Sequence, residues 1–186
     1  MDKFRVLEIK KSIFEDNDHE ADLLREDLRK EKTFLLNLMS SPGSGKTTTL
    51  GRTIEALKDE MRIGVMEADI DSDVDADTIS KTGAKVGNLV CPAEFDTGAS
   101  KNAMILSVPE GDDKPLKYPL MFSIVDVLLI NKIDAMDYFD FDMEACEERV
   151  KKLNPNITII PISAKTGEGI DKWADWLRTE VKNWNA

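Results

Sequence analysis

Cysteine and histidine are scarce in this chain of 186 residues, which has two cysteines and a single histidine, His19. With two cysteines a disulfide framework is not expected, and a reducing cytoplasm is the default compartment. One histidine excludes a histidine-rich metal site within this sequence. Basic residues are also few, 25 against 36 acidic ones, for a net charge of -11. Nucleic acid is therefore not expected as a partner, because phosphate contacts need clustered Lys and Arg.

Long apolar runs are absent as well, and none approaches the length of a membrane span. The sequence opens on Met1-Asp2-Lys3 and continues in mixed polar residues, so neither a signal peptide nor a membrane partner is expected. The length suits one α/β domain with a sizeable core.

A turn rich in glycine and serine joins an apolar strand pattern, Phe34 to Met39, to a helical run that follows Gly45. Such a strand, turn and helix predict a phosphate-binding loop, in which backbone N–H groups and the helix N-terminus face phosphate oxygens; the alternative is a glycine turn before an ordinary helix. Lys46 is expected to reach the outer phosphates and the Thr47 hydroxyl to bind Mg²⁺, which makes both candidate catalytic residues. Ser40 stands where the usual pattern has its first glycine. The candidate nucleotide-binding residues in this stretch are Gly43, Ser44, Gly45, Lys46, Thr47 and Thr48.

Five aspartates alternate with other residues from Asp69 to Asp77, directly after the second predicted strand. They do not form a calcium loop, because Val74 and Ser80 stand where that loop needs glycine and glutamate. The carboxyl ends of strands are where α/β sheets hold their sites. We therefore expect Asp69, and also Asp75, to face Mg²⁺ together with Thr47, although a solvated acidic loop is the alternative.

Asn131-Lys-Ile-Asp134 follows a buried strand, and Ser163-Ala-Lys165 follows the next one. A carboxylate at Asp134 can accept hydrogen bonds from guanine N1–H and N2–H₂, which adenine does not offer. The stem of Lys132 can cover the base plane, and the backbone N–H of Ala164 can meet guanine O6. These six residues, Asn131, Lys132, Asp134, Ser163, Ala164 and Lys165, predict a site for GTP and GDP.

Strands that alternate with helices predict an α/β, three-layer P-loop NTPase fold, with a mostly parallel, doubly wound sheet flanked by helices. Residues 33–186 form the single predicted domain, and residues 1–32 a helical extension packed on it, with Asp18 as the helix N-cap. Cys146 lies on the apolar face of a predicted helix, so we expect it to be packed in the core.

The stretch from Thr82 to Pro92 contains no apolar strand. A P-loop domain needs an acidic residue at the end of a strand beside the first strand, to hold Mg²⁺ through its water shell. No such strand occurs between Asp77 and Lys101. We therefore predict that a segment of about 30 residues, a strand with its crossover, is missing near residues 85–87.

The whole set of motifs resembles the nickel-incorporation GTPases of hydrogenase maturation (HypB type). The segments that carry the resemblance are Ser40–Thr47, Gly87–Asp96, Glu110–Pro119, Asn131–Asp134 and Leu153–Pro155. It implies a metallochaperone that binds and slowly hydrolyses GTP, dimerises with its nucleotide, and delivers Ni²⁺. It also implies two partners, which are a small nickel- and zinc-binding accessory protein and the hydrogenase large subunit.

Cys91 is the one residue of the family's metal site that can be carried over to this chain. The residues alone favour a packed thiol, whereas the resemblance implies a ligand for Ni²⁺ or Zn²⁺ shared between two subunits. The family's adjacent Cys and His ligands, and its strand ending in Glu, are absent before Gly87. Two further interpretations stay open, which are a related metallochaperone for urease or a cobalamin enzyme, and a GTP-sensing module without turnover.

Overall fold

The structure is a computed structural model that describes residues 3–67, 85–88 and 96–186. The strands in this part of the chain are β1 (Leu36–Ser40), β2 (Gly64–Glu67), β3 (Lys85–Asn88), β4 (Lys101–Ser107), β5 (Val127–Asn131) and β6 (Thr158–Pro161). The helices are α1 (Lys3–Lys30), α2 (Lys46–Leu57), α3 (Lys114–Lys117), α4 (Pro119–Ser123), α5 (Met143–Leu153) and α6 (Ile170–Trp184). Short 3₁₀ helices span Val108–Glu110 and Ile133–Tyr138.

All described strand pairs are parallel, in a four-stranded sheet of order β1-β4-β5-β6 and a two-stranded sheet of β2 and β3. In the larger sheet Ser40 lies opposite Ile105, and Ser107 lies opposite Asn131. The carboxyl ends of these strands therefore reach the same edge. The loops that leave β1, β5 and β6 there contain the predicted site residues.

Successive residues of β4 and β5 point to opposite faces of the sheet, and both faces are covered. Ala103, Ile105, Val127 and Leu129 pack with Trp173 in one cluster, which α2 and α6 help to form. Residues from the other face pack with α4 and α5 in a second cluster, which contains Met104, Leu106, Leu128, Ile130, Phe122 and Cys146. Burial on both faces explains why these strands read as continuous apolar runs. The predicted helix–sheet–helix α/β fold is confirmed.

Helix α1 is longer than the sequence predicts, since it begins at Lys3 and passes through Asp18, so Asp18 is not its N-cap. Its neighbour Asn17 exchanges two hydrogen bonds with the backbone of Asp96, at 2.9 and 3.3 Å. Arg25 adds an ion pair to the Asp96 carboxylate and a 3.1 Å hydrogen bond to the carbonyl oxygen of Ala99. The polar residues near Asp18 resemble a helix start in the sequence, but Asn17 instead binds the segment around Asp96.

The sequence predicts no apolar strand for residues 82–92, but Lys85–Asn88 forms a strand of mostly polar and small residues, β3, beside β2. Val86 is the single large apolar residue of this strand, so an apolar pattern could not reveal it. The proposed missing segment and the division at residue 33 stay predictions. In the described chain β1 pairs with β4 alone. None of the described helices has the length and apolar character to cross a membrane.

Candidate functional site

The loop between β1 and α2 has the backbone of a phosphate cradle. Gly43 and Gly45 adopt φ angles of 75° and 97°, in the left-handed region that disfavours side chains. Gly45 caps α2, so Lys46 and Thr47 occupy the first turn of that helix, whose N–H groups have no partner within the helix. The loop thus has the backbone that an anion site at a helix N-terminus requires, and the bound anion stays a prediction.

Asn131 holds three loops together at the end of β5, and it is only 2 % exposed. Its Nδ2 donates a 2.8 Å hydrogen bond to the carbonyl oxygen of Ser44 in the phosphate loop. Its Oδ1 accepts from the backbone N–H of Lys132 at 2.8 Å and from that of Ala164 at 3.0 Å. One buried amide therefore fixes the phosphate loop against both segments predicted to bind the base.

The two base-binding segments also contact each other directly. The Ser163 hydroxyl, fully buried, donates to Oδ1 of Asp134 at 2.6 Å and accepts from the N–H of Thr166 at 3.1 Å. The exposed Lys165 ammonium lies 3.9 Å from Oδ2 of Asp134. These contacts orient the carboxylate that is predicted to recognise guanine.

Lys132 reaches from the end of β5 across to the phosphate loop. Its backbone is left-handed, with φ 66°, and its Nζ donates a 2.7 Å hydrogen bond to the carbonyl oxygen of Gly43. Its stem therefore runs from the end of β5 to the phosphate loop. Such a position fits the prediction that Lys132 covers the plane of the base.

The structure brings most of the predicted nucleotide residues together, with one difference in detail. The N–H of Ala164, expected to meet guanine O6, donates here to Asn131. Thr48 is exposed on α2, one residue beyond Thr47. The guanine contact of Ala164 thus stays a prediction, whereas its buried position beside Asn131 is observed.

The residues present fit a bound phosphate group. The Ser44 hydroxyl is buried, and it has no hydrogen-bond partner among the described residues. A β-carbon at Gly43 would meet no described atom within 4 Å, so the space beside this glycine is open. An unpaired buried hydroxyl is costly, and a phosphate oxygen is a suitable acceptor for it.

Of the predicted metal ligands, Thr47 alone lies in the described part of the chain. Asp69, Asp75 and Cys91 lie outside the described residues. Among the residues that the structure does describe, no three His, Cys, Asp or Glu side chains lie close enough to hold a metal ion. The roles of all four residues in metal binding stay predictions.

Lys114 and Glu110 form a hydrogen-bond network with Ser41 of the phosphate loop, a role that the sequence alone did not predict. Lys114 is 8 % exposed, and its ammonium donates to the Ser41 hydroxyl and to the Glu110 carboxylate. Glu110 in turn accepts from the N–H and the hydroxyl of Ser107, both at 2.8 Å, as in a capping box. The loop after β4 is thereby tied to the phosphate loop.

The same loop is tied to α5 through Asp112. Its carboxylate lies 2.8 Å from Arg149 and accepts a 3.0 Å hydrogen bond from the N–H of Asp142, the N-cap of α5. The acidic residues of the 110–113 turn therefore hold neighbouring elements in place. In sequence they read only as an acidic turn.

Glu110→Gln should lower the free energy of unfolding by about 1.5 kcal/mol at pH 7, because Lys114 would lose its charged partner. Burial alone would raise the pKa of Glu110, but hydrogen bonds from Lys114 and Ser107 outweigh it and lower that pKa. This stabilisation is present above the pKa of the unfolded chain, about 4.3, and is lost as pH falls through the lower folded pKa. Urea unfolding of both proteins at several pH values measures it.

The matched control is Glu55→Gln, which removes an exposed partner of Lys58 on α2. Its effect should be much smaller than that of Glu110→Gln, because exposed ion pairs contribute little. The difference in free energy of unfolding between Glu110→Gln and wild type should shrink as pH falls below about 4. Equal stability of the two proteins at pH 7 would contradict the role given to Glu110.

Comparison with known proteins matches this geometry to a family. The model of the CobW/HypB/UreG nucleotide-binding domain matches residues 34–99. The hydrogenase maturation factor HypB of Escherichia coli K12 is 38 % identical, over 97 % of this chain and 74 % of that protein. That match spans 216 aligned residues, whereas this chain has 186, so at least 30 aligned positions have no counterpart here.

Two solved structures share the fold at 30 % sequence identity. HypB from Archaeoglobus fulgidus superimposes with a TM-score of 0.81, over 89 % of this chain and 98 % of that one. HypB from Helicobacter pylori in complex with nickel superimposes with a TM-score of 0.83, over 92 % of this chain and 98 % of that one. The predicted family is thus confirmed, and the chain belongs to the HypB family of hydrogenase maturation factors.

Proposed function

We propose that this chain binds and slowly hydrolyses GTP, and that the nucleotide cycle gates delivery of nickel during hydrogenase maturation. One observation carries the nucleotide assignment, which is that buried Asn131 joins the phosphate loop to both base-binding segments. Lys46 and Thr47 begin α2 and would act on the outer phosphates and Mg²⁺. Family membership and a nickel-bound relative support the metal role.

Nucleotide selectivity and turnover test this proposal on the wild-type protein. Calorimetric titration should show that GDP binds much more tightly than ADP, because adenine cannot satisfy the Asp134 carboxylate. Release of phosphate from GTP should be slow but dependent on Mg²⁺. Tight GTP binding without any phosphate release would favour a nucleotide-sensing module, and equal affinity for GDP and ADP would refute the guanine assignment.

The segment predicted to be missing near residues 85–87 belongs to the same proposal. The unmatched positions in the alignment with the Escherichia coli relative support it. So does the pairing of β1 with β4 alone among the described strands. Peptide mapping of the protein from its natural source would refute the segment by showing Lys85 joined directly to Val86 and Val86 to Gly87.

Nickel delivery by this family would use a site that forms between two copies of the chain. We propose that Cys91 of each subunit contributes a thiolate, which suits Ni²⁺ or Zn²⁺. GTP would favour the dimer, and a small nickel- and zinc-binding accessory protein and the hydrogenase large subunit would be the donor and the recipient of the metal. A site that forms only in the dimer links metal affinity to the bound nucleotide.

Cys91→Ala should abolish binding of Ni²⁺ or Zn²⁺ while GDP affinity stays near that of wild type. Cys146→Ala is the matched control, because burial raises the pKa of the Cys146 thiol to about 12 and keeps it protonated in the core. Equilibrium dialysis with each metal, in the presence of GTP or GDP, makes the measurement. If wild type and Cys91→Ala bound metal equally with GTP and with GDP, Cys91 would not be a metal ligand, and the packed-thiol interpretation would stand.

A further inference from the structure

Arg52, on α2, contacts the segment predicted to bind the base. Its Nε donates a 3.1 Å hydrogen bond to the carbonyl oxygen of Ala164, and its Nη2 donates a 3.0 Å hydrogen bond to that of Lys165. One guanidinium therefore spans two consecutive carbonyl groups of the loop after β6. Arginine is suited to this, since its N–H donors form a rigid, planar fork.

These contacts fix the orientation of successive peptide planes. A peptide group is planar, so a hydrogen bond to its carbonyl also sets the direction of its N–H. Arg52 fixes the plane that joins residues 164 and 165 and the plane that joins residues 165 and 166. Asn131 fixes the preceding plane through the N–H of Ala164. The segment from Ser163 to Thr166 is thus held by two side chains from different elements.

The position of Arg52 separates this role from phosphate binding. Arg52 lies six residues after Lys46 on α2, which is about 9 Å along the helix axis. The helix that begins at the phosphate loop therefore sends this side chain to the base side of the site. A change at residue 52 should affect the base-binding loop and leave the cradle around Gly43 and Gly45 in place.

We propose that Arg52 is a positioning residue for base selection, which holds the 163–165 loop in the geometry that discriminates guanine from adenine. This inference rests on the proposed GTP-binding function. It predicts that the preference for guanine, and not the affinity for the phosphates, depends on the Arg52 fork. Lysine keeps the charge but lacks the rigid, planar fork of donors that meets the two carbonyl groups here.

The test compares dissociation constants for GDP and ADP in wild type, Arg52→Ala and Arg52→Lys. Arg52→Ala should reduce the GDP preference over ADP about tenfold, as expected for loss of charge-assisted hydrogen bonds, with ADP affinity changed less than about twofold. Arg52→Lys should lose nearly as much of the GDP preference, because lysine keeps the charge but not the planar fork of donors. If Arg52→Ala does not fold, Arg52→Lys makes the same comparison.

Arg178→Ala is the matched control. Arg178 bridges α6 to Glu60, just beyond α2, and pairs with Asp175, without contacting the 163–165 loop. This variant should leave the GDP preference unchanged, even if its unfolding temperature falls as in Arg52→Ala.

Two results would overturn the inference while wild type still prefers GDP. One is an unchanged preference in Arg52→Ala and Arg52→Lys, and the other is a parallel loss of GDP and ADP affinity. A wild-type protein without any preference for GDP would instead overturn the proposed function, and this inference with it.

Discussion

Gly45→Ala is expected to weaken GDP binding by at least about 3 kcal/mol, or more than about 100-fold. Gly45 has φ 97°, and a residue with a β-carbon costs about 1–3 kcal/mol there. The added β-carbon would also collide with Nδ2 of Asn131. Either the loop or the amide must move, so the hydrogen bond from Asn131 to Ser44 would be lost. Calorimetry with GDP measures the effect on binding.

Gly51→Ala is the control, because it makes the same chemical change inside α2. A β-carbon at Gly51 would meet no described atom within 4 Å, and its φ is not positive. This variant should bind GDP normally and be more stable by about 0.5–1 kcal/mol, since alanine favours a helix over glycine. Wild-type GDP affinity in folded Gly45→Ala would show that the loop does not cradle the phosphates as inferred.

Asp134→Asn is expected to weaken GDP binding by at least about 2 kcal/mol, or about 30-fold, and to leave ADP binding poor. The substitution would replace one of the two carboxylate oxygens expected to accept from guanine N1–H and N2–H₂ by an NH₂ donor, which cannot accept either bond. Xanthosine diphosphate has a carbonyl oxygen where guanine has its amino group, so the new amide should bind it better than wild type does. Competition among the three nucleotides measures the change in selectivity.

Asp142→Asn is the matched control for that substitution. Asp142 caps α5 by accepting a 2.9 Å hydrogen bond from the N–H of Ala145, and asparagine caps a helix about as well. Its nucleotide affinities should equal those of wild type. An unchanged GDP affinity in Asp134→Asn would remove the basis for assigning guanine to this site.

The elements of the larger sheet could be predicted from sequence because their strands are buried on both faces. Leu128, Leu129 and Ile130 are fully buried, so they form an unbroken apolar run that requires no knowledge of their partners. The phosphate loop was predictable for a different reason. Its backbone geometry demands glycine at Gly43 and Gly45, and the spacing to Lys46 follows from the turn itself.

The parts that sequence could not reveal depend on partners distant in the chain. Arg52 reads as an exposed helix residue until the 163–165 loop is seen beside it. Lys114 reads as one charge among many, yet it is buried against Ser41, 73 residues away in the sequence. The start of α1 at Lys3 and the polar strand β3 were also not predicted from the sequence. Strand β3 is stabilised by its pairing with β2, which its own residues do not reveal.

Parallel pairing of β1 with β4 has a consequence for the order of events during synthesis. Asn37 of β1 hydrogen-bonds to Asn102 of β4, which follows 65 residues later. At about 5–20 residues per second, the 65 residues between them in this sequence take roughly 3–13 seconds to synthesise, and the segment predicted near residues 85–87 would lengthen that interval. The hydrogen bond to the carbonyl oxygen of Ser44 forms later still, because its donor, Asn131, lies 87 residues further on. A nascent chain that ends before β5 therefore carries the glycine loop without the amide that fixes it, so we expect GTP to select finished chains and not growing ones.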